Sequence, residues 1–123
     1  MSLPAPTHVA QIAIVVKDID RAKAWYRDRL CLAHLFDAPP GLSFLQCGPT
    51  RLMLSQPEPT GPRGNSILYF SVADIEESHR TMSDAGVEFV EEPHIVAKVL
   101  GRDIWIALCR DSEGNLVGLT REE

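Results

Sequence analysis

Along this chain the spacing of apolar positions switches from a strand period to a helix period, and it does so twice. Residues 9–16 are apolar and β-branched, which predicts a strand buried on at least one face. Asp18 then supplies an N-cap. Ile19, Ala22, Tyr26 and Leu30 recur at helical spacing, leaving Arg21, Lys23 and Arg27 for solvent. Residues 32–36, 42–47 and 51–55 read as strands, joined by turns at Ala38-Pro39-Pro40-Gly41 and Gly48-Pro49-Thr50. Pro57, Pro59, Gly61, Pro62 and Gly64 then mark a linker.

The plan restarts after that linker. Residues 67–72 are strand-like, Asp74 caps, and Ile75, Met82 and Ala85 mark a helix ending at Gly86. Residues 87–90 predict a strand, and residues 91–102 an irregular connection holding Pro93, His94 and Gly101. Residues 104–110 and 116–120 predict two more strands around the tight turn Asp111-Ser112-Glu113-Gly114-Asn115. The order is βαβββ, twice. Val16-Lys17-Asp18-Ile19-Asp20 superposes on Val72-Ala73-Asp74-Ile75-Glu76 without a gap, the signature of two like modules in one α+β domain. Module one covers about residues 8–56, the linker 57–65 and module two about 66–121.

Composition narrows the function classes. At 123 residues the chain suits one domain, and 45% hydrophobic with 24% charged residues is ordinary for a globular protein. A net charge of −5 argues against nucleic acid or an anionic membrane as partner, since both reward a basic surface. No apolar run approaches spanning length, and no signal-peptide core follows the amino terminus. Cys31, Cys47 and Cys109 form no CxxC pair, so free thiols and a cytoplasmic setting are expected.

The chain resembles the vicinal oxygen chelate family, which includes glyoxalase I, extradiol dioxygenases and bleomycin-resistance proteins. In the first module the resemblance rests on Ile14-Val15-Val16-Lys17-Asp18-Ile19-Asp20 and Trp25-Tyr26-Arg27-Asp28. In the second it rests on Val72-Ala73-Asp74-Ile75, Ala85-Gly86-Val87 and the turn at residues 111–115. Cys31 departs from the glycine usual after the first helix. The resemblance implies that each module curls into a half-open sheet, that two modules enclose a cavity, and that the chain forms a homodimer. It also implies, for the enzymes, a divalent metal chelating neighbouring substrate oxygens as a Lewis acid.

Residue by residue, that metal site is not carried over. The four family positions fall on Gln11, Met53, Ile67 and Gly118. One neutral amide does not hold a hard cation, and a thioether suits soft metals only. No cofactor is therefore expected, and no metal ligand is assigned. His8, His34 and His79 read as surface or edge histidines, without metal spacing. Strand alternation instead turns Gln11, Arg51, Met53 and Tyr69 toward the cavity, with Trp105, Ala107 and Cys109 assigned there too and His94 in the connection at its mouth. Gln11, Arg51, Met53, Tyr69, His94 and Trp105 are the candidate ligand-binding residues; no catalytic residue stands out. Such a lining suits a small aromatic or apolar molecule. Met53, Ile67 and Trp105 can equally be plain core. The expected function is metal-free binding of a small organic molecule; the alternative is a metal-dependent or metal-free lyase, isomerase or dioxygenase using Gln11, Tyr69 or His94.

Overall fold

The computed structural model describes residues 4–57 and 64–123, so most of the expected linker lies outside the described residues. The chain divides into two compact units, residues 1–63 and 64–123.

The first unit runs β1 (Gln11–Val15), α1 (Ile19–Asp28), β2 (Ala33–Ala38), β3 (Leu42–Cys47) and β4 (Thr50–Ser55). Its sheet has the order β1-β4-β3-β2, with β1 parallel to β4 and the other pairs antiparallel. The α1 periodicity buries Ala22 and Tyr26, and the sheet answers with Ile14, Leu45, Leu52 and Leu54, all nearly or fully buried. Each such side chain withdrawn from water contributes about 1.5–3 kcal/mol before entropy is counted. Asp18 caps α1 by accepting from Arg21 N at 3.0 Å. The helix ends where Leu32 N donates back to Tyr26 O at 3.1 Å, with Cys31 at φ +57° between them.

The second unit repeats the plan with β5 (Leu68–Ser71), α2 (Ile75–Asp84), β6 (Phe89–Val99), β7 (Arg102–Arg110) and β8 (Leu116–Glu122), in sheet order β5-β8-β7-β6. Asp74 caps α2 through Glu77 N at 3.1 Å. The helix closes in a Schellman motif: Val87 N donates to Met82 O, Gly86 N donates to Ser83 O, and Gly86 takes φ +93°. Ile75, Met82, Val87, Ala107, Cys109, Val117 and Leu119 form the buried core. Asp111 holds the β7–β8 turn by accepting from Glu113 N and Asn115 N, each at 2.8 Å.

One expectation about elements is corrected. Residues 91–102 are no irregular connection: β6 continues to Val99 and turns at Leu100-Gly101 straight into β7. Pro93 suggested a break because it donates no backbone N–H. It is accommodated because the β6–β7 register shifts between Glu91 and His94, and because β6 is an edge strand. Leu100 and Gly101 both take positive φ, +52° and +76°, as a two-residue hairpin turn requires. Among the described residues, no helix is long and apolar enough to cross a membrane.

Candidate functional site

Register decides which side chains share a face. In the first sheet Gln11 pairs with Arg51 and Arg51 with Gln46; one step along, Ala13 pairs with Met53, Met53 with Phe44 and Phe44 with Phe36. These lie on the face opposite the α1 contacts of Ile14, Leu45, Leu52 and Leu54. Three of the expected residues are thus neighbours. Arg51 Nε donates to Gln11 Oε1 at 2.8 Å, and Gln11 Nε2 approaches the Met53 sulfur at 3.8 Å. The Arg51 guanidinium sits 5.1 Å from the centroid of Phe44, a cation–π distance. Phe44 in turn stacks on Phe36, 4.6 Å between centroids and 28° between planes. Phe44 is buried, whereas Phe36 keeps 46% of its surface exposed. Phe36 and Phe44 were missed from sequence, although the parity that places Met53 also places Phe44.

In the second unit, Tyr69 pairs with Gly118 and Gly118 with Leu108, while His94 pairs with Ile106. Tyr69 and His94 share that face but stand on β5 and β6, opposite edges of the sheet, so three strand spacings of about 4.8 Å each separate them. The Tyr69 ring lies on Gly118, where an added Cβ would collide with ring carbons Cγ, Cδ1 and Cε1. His94 Nδ1 bonds the carbonyl oxygen of Glu92 at 2.7 Å. A carbonyl only accepts, so the neutral ring carries its proton on Nδ1 and leaves Nε2 as the basic nitrogen, 3.8 Å from a Glu91 carboxylate oxygen.

Trp105 is on the other face, against expectation. It pairs with Arg121 and Ile95 and alternates in step with the buried Ala107 and Cys109. Those two small side chains belong to the core that α2 covers, so all three turn away from Tyr69. The Arg121 guanidinium lies 5.8 Å from the Trp105 centroid and 3.8 Å from the α2 cap Asp74. Trp105 Nε1 and Arg121 Nε are buried without a hydrogen-bond partner among the described residues.

The other titratable groups have structural explanations. Asp37 accepts from Ser43 Oγ at 2.7 Å and Lys23 Nζ at 2.9 Å and meets His34 Nε2 at 2.8 Å. Those bonds, Ser43 first, hold its carboxyl well below the usual carboxylate range. The cluster ties α1 to β2 and β3. Ser43 and His34 both address one oxygen of Asp37, so no serine-to-histidine relay exists. Burial, helped by the charge of Asp111, pushes the Cys109 thiol up to about 11, leaving it a core side chain. Hollows of about 570 Å³ beside Arg102 and Arg121, and about 380 Å³ beside Asp20 and Asp37, include none of the candidate residues.

The side chains at the four family metal positions do not fit a divalent cation. The Gln11 oxygen is occupied by a guanidinium that would repel the metal, Met53 offers a soft sulfur, Ile67 offers no donor, and Gly118 is roofed by Tyr69. Among the described residues, no group of three or more His, Cys, Asp or Glu is placed to hold a metal.

Comparison with known proteins adds the lineage. The family model of the Glyoxalase/Bleomycin resistance protein/Dioxygenase superfamily matches residues 8–119. No curated protein matches the chain in sequence. Among solved structures the chain is similar to TnmS3, an antibiotic binding protein from Streptomyces sp. CB03234, at 23% identity over 98% of this chain and 100% of that one, with a TM-score of 0.82. It is similar to lactoylglutathione lyase from Agrobacterium tumefaciens at 22% identity over 94% of each chain, TM-score 0.77. A virulence protein from Salmonella typhimurium, STM3117, aligns at 21% identity over 95% and 98%, TM-score 0.78. At such identities the likeness shows a shared fold.

Proposed function

The chain belongs to the glyoxalase/bleomycin resistance protein/dioxygenase superfamily, and within it we propose a protein that binds a small, flat, largely apolar organic molecule without a resident metal. One observation carries the reading: Gln11, Arg51 and Met53 converge with the Phe44–Phe36 stack on the sheet face that α1 leaves open. An exposed aromatic ring beside a few oriented polar groups is how small-molecule sites combine affinity with orientation. The donor set at the family's metal positions supports the metal-free part, and the antibiotic-binding neighbour supports a small-molecule role.

The setting belongs to the same proposal. Three free cysteines suit a reducing cytoplasm. The exposed apolar side chains Ile95, Val96, Val99 and Leu100 near the β6 tip suit burial against a second copy, giving a homodimer. Light scattering on the purified chain reads that directly, and a monomer at micromolar concentration refutes it.

Calorimetric titration with a panel of one- and two-ring aromatic compounds tests the binding itself. Binding that Phe36→Ala weakens about tenfold, by loss of aromatic contact, is the expected result. A panel without a binder, or binding indifferent to Phe36 and Arg51, removes the reading. Near one equivalent of nickel, zinc, manganese or iron in protein purified without chelator, lost in Gln11→Ala, removes its metal-free part.

A further inference from the structure

The open face of the first sheet carries its charge unevenly. Across the registered positions of β1 to β4 on that face there is one formal charge, Arg51, and no carboxylate. Asp37, the only acid within these strands, points to the α1 side with Ser43. In a chain of net charge −5, a guanidinium with no carboxylate on its own sheet face is a placement that attracts an anion.

Its geometry is also prepared. A guanidinium has five N–H donors in a planar fork. Here Nε is committed to Gln11 Oε1 at 2.8 Å, and the Phe44 ring covers one face at 5.1 Å. The two terminal nitrogens meet no partner among the described residues, and their edge is the one that grips two oxygens at once. Because Gln11 and Phe44 already fix the plane of the fork, an incoming anion orders little that is not ordered beforehand. The exposed ring of Phe36, stacked on Phe44, lies in the next row of the same face.

We propose that Arg51 is an anion seat, and that the molecule bound is an aromatic ring bearing a conjugated anionic oxygen, a carboxylate or a phenolate, which the Arg51 fork grips while the ring packs against Phe36. This rests on the binding role proposed above and adds its ligand class. Gln11, at a position where the family's enzymes place a metal ligand, becomes the positioning residue for the guanidinium. The fork takes the place of the cation as the partner of oxygen.

The test uses matched probes, 2-naphthoate and the neutral isostere 2-naphthamide, titrated into the full chain, with 4-nitrophenol followed across its own ionisation. Wild type is expected to prefer naphthoate over naphthamide by about 10- to 100-fold, the range for charged hydrogen bonds. Arg51→Met removes that preference while naphthamide binding persists, and Gln11→Ala narrows it. If Arg51→Met does not fold, Arg51→Gln is read in its place. A nitrophenol affinity that rises with ionisation, without a naphthoate preference, identifies a phenolate as the bound oxygen. Equal affinity for acid and amide together with no change on phenol ionisation overturns the anion seat and leaves the binding role standing. A preference that survives in the Arg51 variants overturns it equally. Binding of none of the three probes overturns both.

Discussion

At the scale of single residues, the two copies of one plan expose a cost in the first. After α2 the left-handed position is Gly86, whereas after α1 it is Cys31, at φ +57°. A side chain there crowds the following carbonyl by about 1–2 kcal/mol, a penalty that glycine escapes. Cys31→Gly is therefore expected to raise stability by about 1 kcal/mol in urea denaturation, net of glycine's greater unfolded-state entropy; a loss would show that the exposed thiol has a structural role. Asp37 gives a pH dependence. Its carboxyl is depressed in the folded chain, so its contribution is present above the unfolded value near about 3.9 and is lost as pH falls toward the lower folded value. Wild type should lose urea midpoint more steeply than Asp37→Asn on acidification below about pH 4, and parallel curves would contradict the assignment. Gln11, Arg51 and Met53 fall on one face because the period-2 spacing of β1 and β4, counted from Gln11, agrees with the observed register. The face of Trp105 was not legible in that way. Ile104-Trp105-Ile106-Ala107-Leu108-Cys109 is apolar on both faces, so alternation there carries no parity. The packing of small Ala107 and Cys109 in the α2 core set it instead.

At the scale of elements, caps and turns were read well because each has a chemistry of its own: Asp18 and Asp74 at N-caps, Gly86 at a C-cap, Asp111 to Asn115 in a hairpin. The long β6 was hidden for the converse reason. Proline is a local signal against a strand, and only the pairing partner β7 could supply the bulge that tolerates it. Between β5 and β8 the decisive contact is Tyr69 over Gly118, which the sequence shows only as a tyrosine and a glycine 49 positions apart. Gly118→Ala should cost about 1–3 kcal/mol by forcing the ring aside. In a Tyr69→Ala background most of that cost should vanish. A double-mutant cycle in urea measures the coupling, and simple additivity would mean the ring moves freely and does not roof the position.

At the scale of the whole molecule, the superfamily fold and its duplication were available from sequence order, whereas the chemistry was available only as a set of absences at four positions. The structure changes what those absences amount to. Gln11 is engaged with Arg51 instead of waiting for a cation, and Gly118 is beneath a ring instead of being simply empty. A resident metal is linked to folding, because a ligand held only by the native state stabilises it in proportion to the logarithm of its concentration over Kd. An organic anion held by Arg51 is linked in the same way. The two readings therefore predict opposite thermal behaviour. On the proposed metal-free reading, dialysis against excess EDTA should leave the melting midpoint of this chain within about 1 °C. Saturating 2-naphthoate at about 100 times its Kd should add about 2.7 kcal/mol, and Arg51→Met should cut that gain to about 0.4–1.4 kcal/mol at the same concentration. A midpoint that falls by several degrees in EDTA and recovers with one divalent metal would transfer the role of Arg51 back to a cation, and the metal-free reading would be wrong.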